Sequence, residues 1–224
     1  MIMVSFDFLS KTICPDEKKV DVLCIENHNL FRRIYNAFLS GETEENNIVF
    51  SENYVPLKFK GNVCFLDDYF RLAYSNSIMK KLYERIEDYC YSEMERETVQ
   101  LKSHLVGYME QIVKGFDFDF EFNYEFALPE LFKLMNMKPV ADNYDVLNAL
   151  IDYILILNKY APPKCFVLMN LHLYFSENEL DLFYGDMINN HIKLLVIESR
   201  TVFKKSINEN LIIYDNDFCE IFEN

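Results

Sequence analysis

VDVLCIENHNLFRRIYNAFLS, residues 20–40, decides the fold. Val20 to Glu26 is a short, mostly apolar run and the clearest strand of the chain. From about Asn29 to Leu39 the period changes. Leu30, Phe31, Ile34, Tyr35 and Phe38 recur at helical spacing, and Gly41 suits the stop. A strand turning directly into a helix is the first half of a βαβ unit.

The C-terminal third has the same grammar. Cys165 to Leu171 reads as a buried strand, Ser176 with Glu179 as a capping box opening a helix to about Asn190, Lys193 to Glu198 as a second buried strand, and Leu211 to Tyr214 as a last one. Short strands are expected at Ile48 to Phe50, Val55 to Phe59 and Asn62 to Leu66, with Gly61 as a turn. The middle differs. From Asn76 to Lys114 two helical stripes run through Ile78, Leu82, Ile86 and Tyr89, then Val99, Leu105, Val106, Met109, Ile112 and Val113. FDFDFEF, Phe116 to Phe122, alternates strictly and reads as a half-buried strand. A short helix, Pro129 to Met135, and a longer one, Asp142 to Lys159 with Asp142 as N-cap, follow. The expected fold is therefore α/β: a mostly parallel, doubly wound sheet built from residues 1–66 and 137–224, interrupted by an α-helical insertion over 67–136.

Composition agrees and sets limits. Half of the 224 residues are hydrophobic and 16% aromatic, enough to exclude disorder as the main state. With 5 Gly and 6 Pro, well under half the usual share of about 12%, turns should be few and elements long. The opening MIMVSFDFLSK has no basic region ahead of its apolar residues, no apolar run approaches a membrane span, and the six cysteines form no CxxC pair. The expected location is the cytoplasm. A net charge of −14 argues against a surface that attracts nucleic acid everywhere, and leaves room for a local basic stripe.

The turn after the first strand is where an open α/β sheet holds phosphates. Here it reads Glu26-Asn27-His28-Asn29, without glycine, and neither GxxxxGK[ST] nor GxGxxG occurs in the chain. Nucleotide binding by those mechanisms is not expected. No GxSxG or HExxH exists either, and the four histidines read as structural. Glu198-Ser199-Arg200 reads in two ways, as a strand-end ion pair or as the metal-holding acid of a nuclease. In FDFDFEF the carboxylates of Asp117, Asp119 and Glu121 share one face, with Glu125 and Glu130 close behind. They suit either a solvated strand face or a hard cation such as Ca²⁺. Lys58 and Lys60, then Lys80, Lys81 and Arg85 on a helix face turned from its apolar stripe, are the candidate basic residues. Arg32 and Arg33 add a third pair, and an ordinary salt-bridged surface has the same pattern.

The VLCIEN strand with the LFRRIYNAF helix, the acidic segment running into PELFKLMNMK, and KCFVLMNLHLYFSENELDLFYGDMINNHIKLLVIESR at residues 164–200 together resemble the small type II-A CRISPR adaptation protein, the Csn-two family. The resemblance covers most of Val20 to Phe222. It implies a degenerate P-loop-ATPase-like head with an inserted helical leg and no enzymatic activity. It implies a homotetrameric ring that threads double-stranded DNA, prefers free ends, and serves spacer acquisition beside the integrase and effector nuclease of the locus. It also implies calcium held by acidic residues, which places Asp117, Asp119, Glu121, Glu125 and Glu130 as ligands. Asn123, Tyr124 and Pro129 depart from that acidic pattern. Lys58, Lys60, Lys80, Lys81 and Arg85 are chosen for DNA from surface logic rather than transferred. Bound calcium would neutralise part of the acidity and let a basic hole coexist with an acidic wall.

Overall fold

The computed structural model describes residues 1–140, 145–201 and 206–223, Glu223 by its backbone alone. Among these residues the strands are β1 (Ile2–Phe6), β2 (Val20–Ile25), β3 (Ile48–Glu52), β4 (Val55–Pro56), β5 (Val63–Leu66), β6 (Cys165–Met169), β7 (Leu194–Glu198), β8 (Glu209–Tyr214) and β9 (Glu220–Glu223). The α-helices are α1 (His28–Ser40), α2 (Asn76–Glu93), α3 (Glu95–Val113), α4 (Leu128–Leu134), α5 (Val146–Tyr160) and α6 (Glu177–Asn189). The chain divides into two compact units, Met1–Leu72 with Ala141–Asn224, and Ala73–Val140.

The first unit is α/β. Its six-stranded sheet has the order β5-β6-β7-β2-β8-β9, parallel except for the terminal β9. A second, antiparallel sheet, β1-β3-β4, stands beside it. Because side chains alternate across a strand, the central strands feed two cores. Leu23, Ile25, Val167, Met169, Leu195 and Ile197 meet Ile34, Ala37 and Phe38 of α1, with Val4, Ile48 and Phe50 of the small sheet. Phe38 stacks on Phe65 at 5.5 Å and 13°. Each such buried side chain contributes about 1.5–3 kcal/mol of transfer free energy. On the opposite face Val22, Leu168, Leu194 and Val196 are equally buried, as are Leu150 and Ile154 of α5 and Leu180, Phe183 and Tyr184 of α6. Helices on both faces make this a doubly wound, mostly parallel sheet.

Local chemistry explains the ends of the elements. Gly41 closes α1 in the left-handed conformation (φ 78°), donating its N–H to the Ala37 carbonyl. Ser176 and Glu179 form the expected capping box of α6. Val55 to Phe59 is not one strand: β4 stops at Pro56, which has no N–H for a ladder. The α5 helix begins at Val146, capped by the Asp145 carboxylate through the N–H groups of Leu147 and Asn148. Asp142, expected as that cap, lies outside the described residues.

β2 carries one unfavourable residue. Asp21 is 7% exposed and accepts a hydrogen bond from Asn210 Nδ2 at 3.2 Å. Burial pushes its carboxyl up to about 6. The folded state thus favours the protonated form, and stability falls as pH rises from about 4 to 6. Asp21→Asn keeps the shape without the buried charge. It should add about 2 kcal/mol at neutral pH and flatten the stability profile between pH 4 and 6, as read by urea unfolding.

The second unit is helical. Ser75 caps α2 through the Ile78 N–H, and the Thr98 hydroxyl ties the start of α3 back to the Cys90 carbonyl at 3.1 Å. Tyr83 reaches the Met137 carbonyl at 2.7 Å and packs on Phe132. FDFDFEF, expected as a strand, is an irregular connection between α3 and α4. Phe116, Phe118 and Phe120 are 46–61% exposed, and their ring centroids lie only 4.8–5.6 Å apart. Residues two apart on a strand sit near 7 Å, so the chain here is contracted and its rings pack on one another instead of on a core.

Candidate functional site

The carboxyl ends of β2, β5, β6 and β7 form the crevice where open α/β sheets bind ligands. At the end of β2 two of the free N–H groups of the α1 terminus are already taken. Asn27 Oδ1 accepts from Asn29 at 3.1 Å and Leu30 at 3.0 Å. Glu26, just before it, accepts from the Thr201 hydroxyl. A phosphate approaching this turn would meet a carboxylate and a helix end with two of its donors engaged, which is the opposite of an anion cradle. His28 is the first residue of α1 and is exposed.

Below the crevice lies a buried charge cluster. Glu198 ends β7 on the face it shares with Leu194 and Val196, and Glu209 opens β8; they are 2% and 1% exposed. His172, in the single turn after β6, lies between them, with Nδ1 2.8 Å from Glu198 and Nε2 2.8 Å from Glu209. Its backbone N–H also reaches Glu198, at 3.0 Å, and Ser206 N–H donates to the other oxygen of Glu209. With a carboxylate at each ring nitrogen, both nitrogens act as donors and the ring is an imidazolium. Burial alone would lower its pKa, but the hydrogen bonds and charges of Glu198 and Glu209 win and push it up to about 9. The Tyr184 hydroxyl faces this cluster from α6 and has no well-formed hydrogen bond. Burial, then Glu209 and Glu198, hold it protonated.

This geometry answers the two readings of Glu198. It is an ion pair at a strand end, but with His172, not with the neighbouring Arg200, which is exposed. A carboxylate this buried and doubly hydrogen-bonded does not present itself to a divalent ion. The histidine and Glu209 could not be found from spacing, because only sheet register brings residues 172, 198 and 209 together.

The acidic candidates are placed otherwise. Asp117, Asp119, Glu121, Glu125 and Glu130 are all exposed, the first four along the irregular α3–α4 connection and Glu130 in the first turn of α4. Among the described residues no three His, Cys, Asp or Glu side chains gather as metal ligands. In this arrangement the five do not fit one calcium ion, which needs six to eight converging oxygens.

Of the basic candidates, Lys58 and Lys60 are exposed in the turn between β4 and β5 of the first unit. Lys80, Lys81 and Arg85 lie exposed on α2 of the second. Two are loosely paired, Lys80 with Glu84 at 3.9 Å and Arg85 with Asp88 at 3.8 Å, contacts worth at most about 1 kcal/mol and readily exchanged for a phosphate. Arg33 is tied to Asp7 at 2.6 Å.

The family model described as "CRISPR-associated protein (Cas_Csn2)" matches residues 41–218. The chain belongs to the Csn2 family. Its role is accordingly CRISPR-associated, a part of the machinery of antiviral defence. No curated protein matches the chain. Among solved structures it is similar to "Putative ABC transporter (ATP-binding protein)" from Pyrococcus furiosus, at 12% identity over 94% of each chain with a TM-score of 0.39. Among the described residues of this Csn2-family chain, no helix is long and apolar enough to cross a membrane.

Proposed function

We propose that this Csn2-family chain is a non-enzymatic protein that binds the ends of double-stranded DNA as a ring of four copies and assists spacer acquisition beside the integrase and effector nuclease. The observation that carries the reading is the α1 turn. Asn27 occupies two of the helix N–H groups and Glu26 precedes them, which disfavours the close phosphate contacts of a nucleoside triphosphate while the sheet is kept. A scaffold of this kind supports binding rather than turnover. DNA contact falls to the exposed cations, Lys80, Lys81 and Arg85 in one unit and Lys58 and Lys60 in the other. No step in this reading runs through calcium.

Labelled linear duplex and its closed-circular form, titrated with the purified chain, test it. The linear form should shift and the circle should not, and binding should weaken steeply with salt. Replacing any of the five cations that touches phosphate by Gln should lower the log–log salt slope by about 0.9. Light scattering should return four chain masses. Equal binding to both topologies or a persistent monomer would overturn the reading, and cleavage of the duplex in Mg²⁺ or Mn²⁺ would replace it with a nuclease.

A further inference from the structure

The crevice retains one cavity that the DNA reading leaves unused. It measures about 260 Å³ and is lined by Phe31, Tyr35, Asp67, Met169, Asn170 and Tyr174. Asp67 and Asn170 are the residues just past the ends of β5 and β6, and Phe31 and Tyr35 are one turn apart on α1 with rings 20° from parallel. Met169, 1% exposed, contributes to the lining, and Tyr174, 46% exposed, stands where the cavity meets solvent.

The chemistry of this lining is selective. Tyr35 donates its hydroxyl to Asp67 Oδ2 at 2.6 Å. That bond, with burial, raises the Tyr35 pKa to about 12, so Tyr35 remains a donor and fixes the carboxylate in place. Asp67 Oδ1 makes no hydrogen bond, and no Lys, Arg or His pairs with Asp67 among the described residues. A half-buried carboxylate without a counter-charge among the described residues, walled by aromatic faces whose quadrupoles also attract cations, suits a cation from outside. Flat rings beside one carboxylate favour a guanidinium, which stacks and hydrogen-bonds together, over the compact, strongly hydrated ammonium of lysine. Phosphate-bearing ligands are repelled by the same charge. A chain of net charge −14 draws basic proteins by its overall field.

We infer that this cavity is a docking socket for an arginine side chain of a protein partner. The inference stands independently of DNA binding. Saturation-transfer NMR of the full chain with Nα-acetyl-arginine amide tests it, with the lysine and the neutral citrulline analogues alongside. The arginine side chain should be saturated strongly, lysine several-fold less, and citrulline hardly at all. Asp67→Asn preserves the acceptor for Tyr35 and should reduce the arginine signal at least five-fold, and Tyr174→Ala, at the solvent-facing side of the cavity, should also reduce it. An equal response to citrulline, or an arginine response unchanged in Asp67→Asn, would overturn the inference. So would a change of native mass in Asp67→Asn without any probe, because another copy of the chain would then be the occupant.

Discussion

His172→Ala should destabilise the α/β unit by about 3–5 kcal/mol, the cost of stranding a buried charge whose partner has been removed. The wild-type ring sits 2.8 Å from each of two carboxylates that are 2% and 1% exposed. Truncation leaves both carboxylates inside the fold with a cavity between them and without the two charge-assisted bonds of the imidazolium. Because the turn that carries His172 follows β6 while its partners lie on β7 and at the start of β8, the loss unpins three elements at once. His172→Gln retains one amide donor and no charge, so it should fall between the wild type and the alanine variant. Urea unfolding followed by circular dichroism measures all three. A loss below about 1 kcal/mol for His172→Ala would show that the cluster is solvated in practice and that the clamp does little.

How much of this was legible in the sequence depends on whether the signal was local. The β2–α1 unit was readable because the period changes from an unbroken apolar run to 3.6 spacing within a few residues, and the capping box of α6 because Ser176 and Glu179 are three apart. The missing phosphate cradle was likewise visible in Glu26 to Asn29. That Asn27 itself fills the vacancy is a matter of side-chain geometry, which residue type only permits. FDFDFEF misled for a physical reason. Strict alternation reports two chemically different faces, but a strand also needs a neighbour for its N–H and C=O groups, and alternation says nothing about one. β1 passed unread, because MIMVSF offers an apolar run whose partner, β3, comes more than forty residues later. The clamp at residues 172, 198 and 209 and the cavity around Asp67 were out of reach for the same cause. Each is assembled by the register of parallel strands, where Cys24 faces Glu198 and Val20 faces Glu209, and no spacing in the chain encodes that.

The same clamp should give the protein an alkaline weakness. The ordinary histidine value of 6.5 is raised to about 9 in the fold, so the folded state binds the proton more tightly than the unfolded chain. Its contribution is complete below pH 6.5 and is lost as pH rises from 6.5 through about 9. At 1.36 kcal/mol per unit the shift corresponds to about 3 kcal/mol. The loss has a definite origin. When the imidazolium gives up its proton, one ring nitrogen becomes an acceptor facing a carboxylate, and a bond turns into a repulsion at 2.8 Å. The Tyr184 hydroxyl, turned toward the cluster, and the buried Tyr69, which feels the charge of Glu198, stay protonated across this window because burial and the neighbouring carboxylates raise both. Unfolding free energies measured in urea at intervals from pH 6 to 10 should therefore decline through this window in the wild type. The decline should be absent in His172→Gln, which has no proton to lose. An equal decline in both would assign the alkaline weakness to other groups and leave His172 neutral throughout.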